Sequence, residues 1–224
     1  MIAIKDNIAA VELQISSACK TAQRNAGEIT LLAVSKTKPI EMLEQAYNAG
    51  QRNFGESYVQ EAVEKITAMQ DKSDILWHFI GPIQTNKTKL IAKHFSWVHS
   101  IDRIKVAKRL NEHRSGQDTP LNICLQVNIS GELSKSGVLP QELAALLAVI
   151  ETCDNLCLRG LMAIPEKNAA KASFIEMQKL FIELKAQYPA IDTLSMGMSA
   201  DLQLAINAGS TLVRIGSAIF GARS

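Results

Sequence analysis

The chain has almost no net charge. Its 24 basic and 22 acidic side chains leave +2 over 224 residues, too weak a field for nucleic acid or an anionic membrane to be the main partner, so a small molecule fits better. No apolar run is long enough to span a bilayer, and Met1-Ile2-Ala3-Ile4-Lys5-Asp6 lacks the uninterrupted apolar stretch of a secretory signal. A cytoplasmic protein is therefore expected. The cysteines, Cys19, Cys124, Cys153 and Cys157, match no zinc spacing. Cys153 and Cys157 stand four apart, as packed positions on one helix would, and reduced core cysteines suit that compartment. Repeats, low-complexity stretches and Pro/Gly-rich linkers are missing too, which predicts one domain over residues 1–224.

What is present is an alternation. Residues 3–25 carry Ile4, Ile8, Val11, Ile15 and Ala18 on one helical stripe. Strand-like segments then follow at 29–36, 52–56, 76–81, 97–101, 121–129, 158–164, 193–198 and 211–216, with helical patterns in each gap. Eight strands with intervening helices predict an α/β fold, a single (β/α)8 TIM-like barrel with an extra N-terminal helix. An open doubly wound sheet is the second architecture. Against it, no glycine-rich dinucleotide loop follows the first strand, where Lys36-Thr37-Lys38-Pro39 stands instead. Asn48-Ala49-Gly50 and Asn207-Ala208-Gly209 place glycine where a left-handed helix cap is wanted. The segment Ser130-Gly131-Glu132-Leu133-Ser134-Lys135-Ser136-Gly137 follows strand five, as a lid or as a plain polar connection.

Lys36 closes the apolar run Ile29-Thr30-Leu31-Leu32-Ala33-Val34-Ser35. The two-residue period of a strand puts Leu32, Val34 and Lys36 on one face, so the amine emerges from an apolar interior at the C-terminal end, where barrels keep their chemistry. Desolvation there would favour the neutral amine, the form that makes a Schiff base with an aldehyde. The other reading is a strand-end lysine reaching out to solvent.

Far along the chain, Ser195-Met196-Gly197-Met198-Ser199-Ala200-Asp201 and Val213-Arg214-Ile215-Gly216-Ser217 follow the last two strands. Loops in those positions commonly hold a phosphate. Ser199 is read as the N-cap of a helix over 200–208 or as a phosphate ligand, and Gly216 and Ser217 offer backbone amides to an anion. Arg214 alternates with Leu212 and Gly216 on the inward face and needs either a ligand or an ion pair. A strand-one lysine, an inward arginine and a phosphate cradle together describe a site for pyridoxal 5'-phosphate, the arginine facing the ring nitrogen.

These landmarks, with Asn53-Phe54-Gly55-Glu56-Ser57-Tyr58-Val59-Gln60-Glu61, Trp77-His78-Phe79-Ile80-Gly81 and Gly160-Leu161-Met162, resemble the YggS/PROSC family of pyridoxal phosphate homeostasis proteins over essentially the whole chain. One departure is Ser57, where the family often has asparagine. The resemblance implies a barrel like the N-terminal domain of alanine racemase, a fold-type III protein without the C-terminal β-domain, with the cofactor as an aldimine on Lys36. It also implies Arg214 at the ring nitrogen and Ser199, Gly216 and Ser217 at the phosphate. Asn53 and His78 are expected either to line the pocket or to hold structural hydrogen bonds.

Two functions remain, a non-enzymatic carrier of the cofactor and a weak racemase-like enzyme. Alanine racemases bring a catalytic tyrosine from their additional domain, whereas this chain stops at Ser224 and offers only Tyr47, Tyr58 and Tyr188. Tyr58 alone falls near the active end. An arginine against the ring nitrogen also disfavours a protonated ring, the better electron sink. The carrier reading is preferred, with apo-enzymes that use the cofactor as further partners, and a monomer is expected. Glu56 and Asp201 are read as acids of a first helical turn, and Lys87, Lys89 and Lys93 as a solvated helix face.

Overall fold

A computed structural model of the chain describes residues 3–132, 134–165 and 170–222. Strands β1 Thr30–Val34, β2 Asn53–Glu56, β3 Leu76–Phe79, β4 Trp97–Ile101, β5 Leu121–Gln126, β6 Leu156–Met162, β7 Thr193–Ser195 and β8 Leu212–Ile215 pair in parallel and close into a barrel in sequence order. Helices α2 Ile40–Asn48, α3 Val59–Ala68, α4 Thr88–His94, α5 Ile104–Arg114, α6 Leu143–Ile150, α7 Ala170–Gln187 and α8 Leu202–Asn207 fill the gaps between strands, and the short α9 Ser217–Phe220 follows β8. Each strand is buried on both sides, and this is why the runs read as apolar without interruption. The eight strands and the barrel stand as expected from the sequence.

The first helix, α1 Ile4–Thr21, buries the predicted stripe of Ile4, Ile8, Val11, Ile15 and Ala18 against α2, α8 and α9. Asn7 ties it to the chain's end by donating to the Ile219 carbonyl at 2.8 Å. Gly50 and Gly209 take φ values of 102° and 86° after α2 and α8, the left-handed caps expected there. Cys153 and Cys157 do not share a helix: Cys153 follows α6 and Cys157 lies in β6, while Cys19, Cys124 and Cys153 are buried thiols. No helix among the described residues is long and apolar enough to cross a membrane.

Alternation along each strand sends one set of side chains to the barrel axis. On β1, Thr30 lines a cavity at one mouth and Val34 a cavity at the other. Arg159 of β6 lines the first, and Ile164, two residues past the end of that strand, lines the second. The register of β5 against β6 slips beside Gly160. Only glycine fits there, because a Cβ at its φ of 154° would fall 1.7 Å from the Thr193 carbonyl oxygen.

Candidate functional site

The C-terminal ends of the strands surround a cavity of about 390 Å³. Its lining gathers Lys36, Arg214, Ser199, Gly216 and Ser217, five of the seven residues picked out in the sequence, although they lie as far apart as β1 and β8. Lys36 is half-buried, two residues beyond the end of β1. Lys38 and Ser57 join the polar wall, and Val34, Ile80, Ile164 and Met198 supply apolar surface. Three cations and no carboxylate line the space among the described residues. Its chemistry suits an anion with a flat apolar body.

Arg214 projects inward from β8, where its strand pairs Leu32 of β1. It is 5% exposed, and its guanidinium donates from Nη1 to the Ser195 carbonyl (2.7 Å) and hydroxyl (2.8 Å) and from Nη2 to the Ala163 carbonyl (2.9 Å). These acceptors are neutral, so the ion pair offered as one reading is not what holds it. Burial pulls the guanidinium down to about 10, which leaves it cationic at neutral pH.

Ser195 passes the interaction on. Arginine can only donate, so the Ser195 hydroxyl accepts from Arg214 and gives its proton to His99 Nδ1 at 2.9 Å. His99 Nε2 then donates to His78 Nδ1 at 2.9 Å, and His78 Nε2 to Asn53 Oδ1 at 3.1 Å, this polarity being assigned from the network. The four links run through the barrel interior and fix Arg214 from below. Burial keeps both imidazoles neutral: His78 is held down at about 3 and His99 well below its ordinary value.

Asn53 and His78 therefore do not line the cavity that holds Lys36. Asn53 is the first residue of β2, at the N-terminal mouth, and both side chains line the opposite cavity of about 410 Å³ with Trp97 and Arg159. A short strand leaves either end open to a reading from sequence, and here direction along β2 and β3 decides it. Their structural hydrogen bonds match the second reading given for them.

Further sequence expectations meet the structure at Ser199, Glu56, Tyr58 and the 130–140 segment. Helix α8 starts at Leu202 with Asp201 as its N-cap, and the Asp201 carboxylate accepts the Met198 N–H at 2.5 Å. Ser199 is thus released from capping and stands exposed on the cavity wall. Glu56 is no first-turn acid: it ends β2, fully buried, with its Oε1 accepting from Ser35 and Lys65. Tyr58 is the exposed N-cap residue of α3 and is not among the residues lining the cavity. In the 130–140 segment, of which Leu133 lies outside the described residues, Val138 forms a β-bridge with Val127 and Asn128 Nδ2 donates to the Glu132 and Lys135 carbonyls.

The sequence reading missed Ser195, His99 and Lys65. A signal existed for Lys65, which falls on the buried stripe of α3 with Val59 and Ala62. His99 could have been found as an inward position of β4, two residues after Trp97.

Residues 13–224 match the family of the alanine racemase N-terminal domain. A pyridoxal phosphate homeostasis protein of Vibrio cholerae is 53% identical over 100% of this chain and 98% of its own length. The structure of PipY from Synechococcus elongatus with PLP bound superposes with a TM-score of 0.84 at 33% identity, covering 97% of this chain and 100% of that one. An alanine racemase from Corynebacterium glutamicum shares the fold alone, at 15% identity and a TM-score of 0.72 over 97% of this chain and 61% of that one. With such full-length likeness beside a barrel of this form, the chain belongs to the pyridoxal phosphate homeostasis protein family, built on the alanine racemase N-terminal domain.

Proposed function

We propose that this chain binds pyridoxal 5'-phosphate at the C-terminal mouth of its barrel and holds it for storage and delivery. The observation that carries the reading is the cavity wall, with three cations, no carboxylate among the described residues and apolar faces between them. A PLP-bound structure of the PipY relative supports it. When bound, the cofactor supplies an aldehyde that condenses reversibly with a lysine amine. Lys36 is the residue assigned to that aldehyde. Arg214 faces the ring nitrogen, its guanidinium oriented by Ser195 and Ala163. Ser199, Gly216 and Ser217 take the phosphate through hydroxyls and backbone amides. Asn53 and His78 act through Arg214 rather than on the ligand.

The phosphate assignment is tested at Ser199, which is exposed, so a change there disturbs no packing. Ser199→Glu sets a carboxylate against the phosphate and should weaken pyridoxal phosphate binding about tenfold or more, while pyridoxal, which lacks the anion, changes little. Equal losses for both ligands would remove the cradle from this loop. A side chain at Gly216 is a poorer probe, because its Cβ would meet the Val34 carbonyl oxygen at 3.2 Å.

In this reading the protein is a carrier without racemase turnover. Tyr58 points no acid into the cavity lining, and the Arg214 charge beside the ring nitrogen disfavours its protonation. Relatives bear the name of homeostasis proteins. Exchange of the α-hydrogen of alanine in deuterated water, with saturating cofactor, should be slow or undetectable. Turnover of roughly 1 to 10³ per second, common among enzymes, would contradict the carrier reading. Apo-enzymes that need the same cofactor are the natural recipients, the compartment is the cytoplasm, and a single monomeric domain over residues 1–224 suffices.

A further inference from the structure

The backbone on both sides of Lys36 is fastened to α3 by one buried cluster of charges. Glu56 is fully buried, and its Oε1 accepts from the Ser35 hydroxyl at 2.7 Å and from Lys65 Nζ at 2.8 Å. Lys65, 4% exposed, also donates to the Ser35 carbonyl at 2.8 Å and to Glu61 Oε1 at 2.6 Å. That same Glu61 oxygen accepts the backbone N–H of Thr37 at 2.6 Å. Ser35 and Thr37 are the two chain neighbours of Lys36, so the lysine is bracketed by both ends of the network.

Thr37 has a φ of 63°, the left-handed region that β-branched residues avoid. Something must hold it there, and the Glu61 carboxylate is bonded to its amide. Buried ion pairs add little net stability once desolvation is counted, so stability alone is a weak reason for this one. Fixing a strained turn beside a reactive side chain is a use that fits the geometry.

We propose that Glu61 and Lys65 are positioning residues for Lys36: by holding the Ser35 carbonyl and the Thr37 amide they keep Thr37 left-handed and so direct the Lys36 amine into the cavity. The inference rests on the reading that Lys36 bonds the cofactor's aldehyde. It predicts an effect confined to that bond, because the residues assigned to the phosphate follow other strands, β7 and β8.

Glu61→Ala tests it with two ligands, pyridoxal phosphate and its deoxy analogue, in which a methyl group replaces the aldehyde. The Glu61 side chain is 29% exposed, so truncation leaves Lys65 paired with Glu56 and the fold intact. Affinity for pyridoxal phosphate should fall about tenfold while the analogue binds as before. Glu61→Gln, which keeps an acceptor for the Thr37 amide, should bind both ligands like the unaltered protein. Adding Thr37→Gly to Glu61→Ala should restore pyridoxal phosphate binding, since glycine is left-handed without strain. Equal loss for both ligands, or no loss for either, overturns the inference while Lys36 keeps its role. An unaltered protein with no preference for the aldehyde over the analogue overturns the Lys36 reading, and this inference with it.

Discussion

Lys36→Ala should lose the visible absorption band of bound cofactor and bind pyridoxal phosphate about a hundredfold more weakly, a loss of roughly 2.7 kcal/mol. In the proposed reading the other wall residues contribute charge and hydrogen bonds, while Lys36 alone would bond the cofactor covalently. Lys38 lines the same cavity, but its amine donates to the Ala222 carbonyl at 2.7 Å, and it is not expected to substitute. The fold should persist, because Lys36 is half-buried beyond the last residue of β1 and removes no core volume. Urea unfolding of the variant should stay within about 1 kcal/mol of the unaltered protein. A variant that keeps both the band and the affinity would contradict the assignment.

Stability should fall steeply in mild acid. His78 and His99 are buried at 1% and 0% exposure, and burial holds His78 down at about 3 and His99 well below its ordinary value. Above a pH of about 6.5 both are neutral whether the chain is folded or not, and their contribution is complete. As the pH drops below that, the unfolded chain takes up protons that the folded chain refuses. Each unit then costs about 1.4 kcal/mol per histidine until the folded value is reached. Glu56 runs the other way, its carboxyl pushed up by burial so that the fold gains as pH falls, but it is one group against two. Unfolding free energies from urea should drop by roughly 2 to 3 kcal/mol per histidine between pH 6.5 and 4.5. Equal values at the two pH settings would mean that the imidazoles accept protons inside the barrel, and the neutral chain from Arg214 to Asn53 would have to be redrawn.

The parts that were legible in the sequence are those governed by one element at a time. A buried parallel strand announces itself as an apolar run, so all eight were found, and a lysine or arginine interrupting the inward face of such a run stands out as Lys36 and Arg214 did. Glycine after a helix is equally local, as at Gly50 and Gly209. What failed depends on direction or on distant partners. For Asn53 and His78 the sequence left pocket lining and structural hydrogen bonding open, since periodicity tells which face a residue takes and not which end of a four-residue strand it serves. Glu56 precedes a helix in sequence and looked like a dipole-favoured acid, yet its ion partner Lys65 lies nine residues on, on the buried face of that helix, α3. The chain Arg214–Ser195–His99–His78–Asn53 draws on five residues from β8, β7, β4, β3 and β2 and exists only once the barrel has closed.

The central claim is that one particular amine, at the C-terminal end of β1, takes the cofactor's aldehyde. Reduction of the cofactor-loaded protein with borohydride, followed by peptide mapping, tests it most directly. The account predicts a phosphopyridoxyl group on the peptide Ser35-Lys36-Thr37, assigned to Lys36 by fragmentation. An adduct on Lys38 or any other lysine, with Lys36 unmodified, would contradict it.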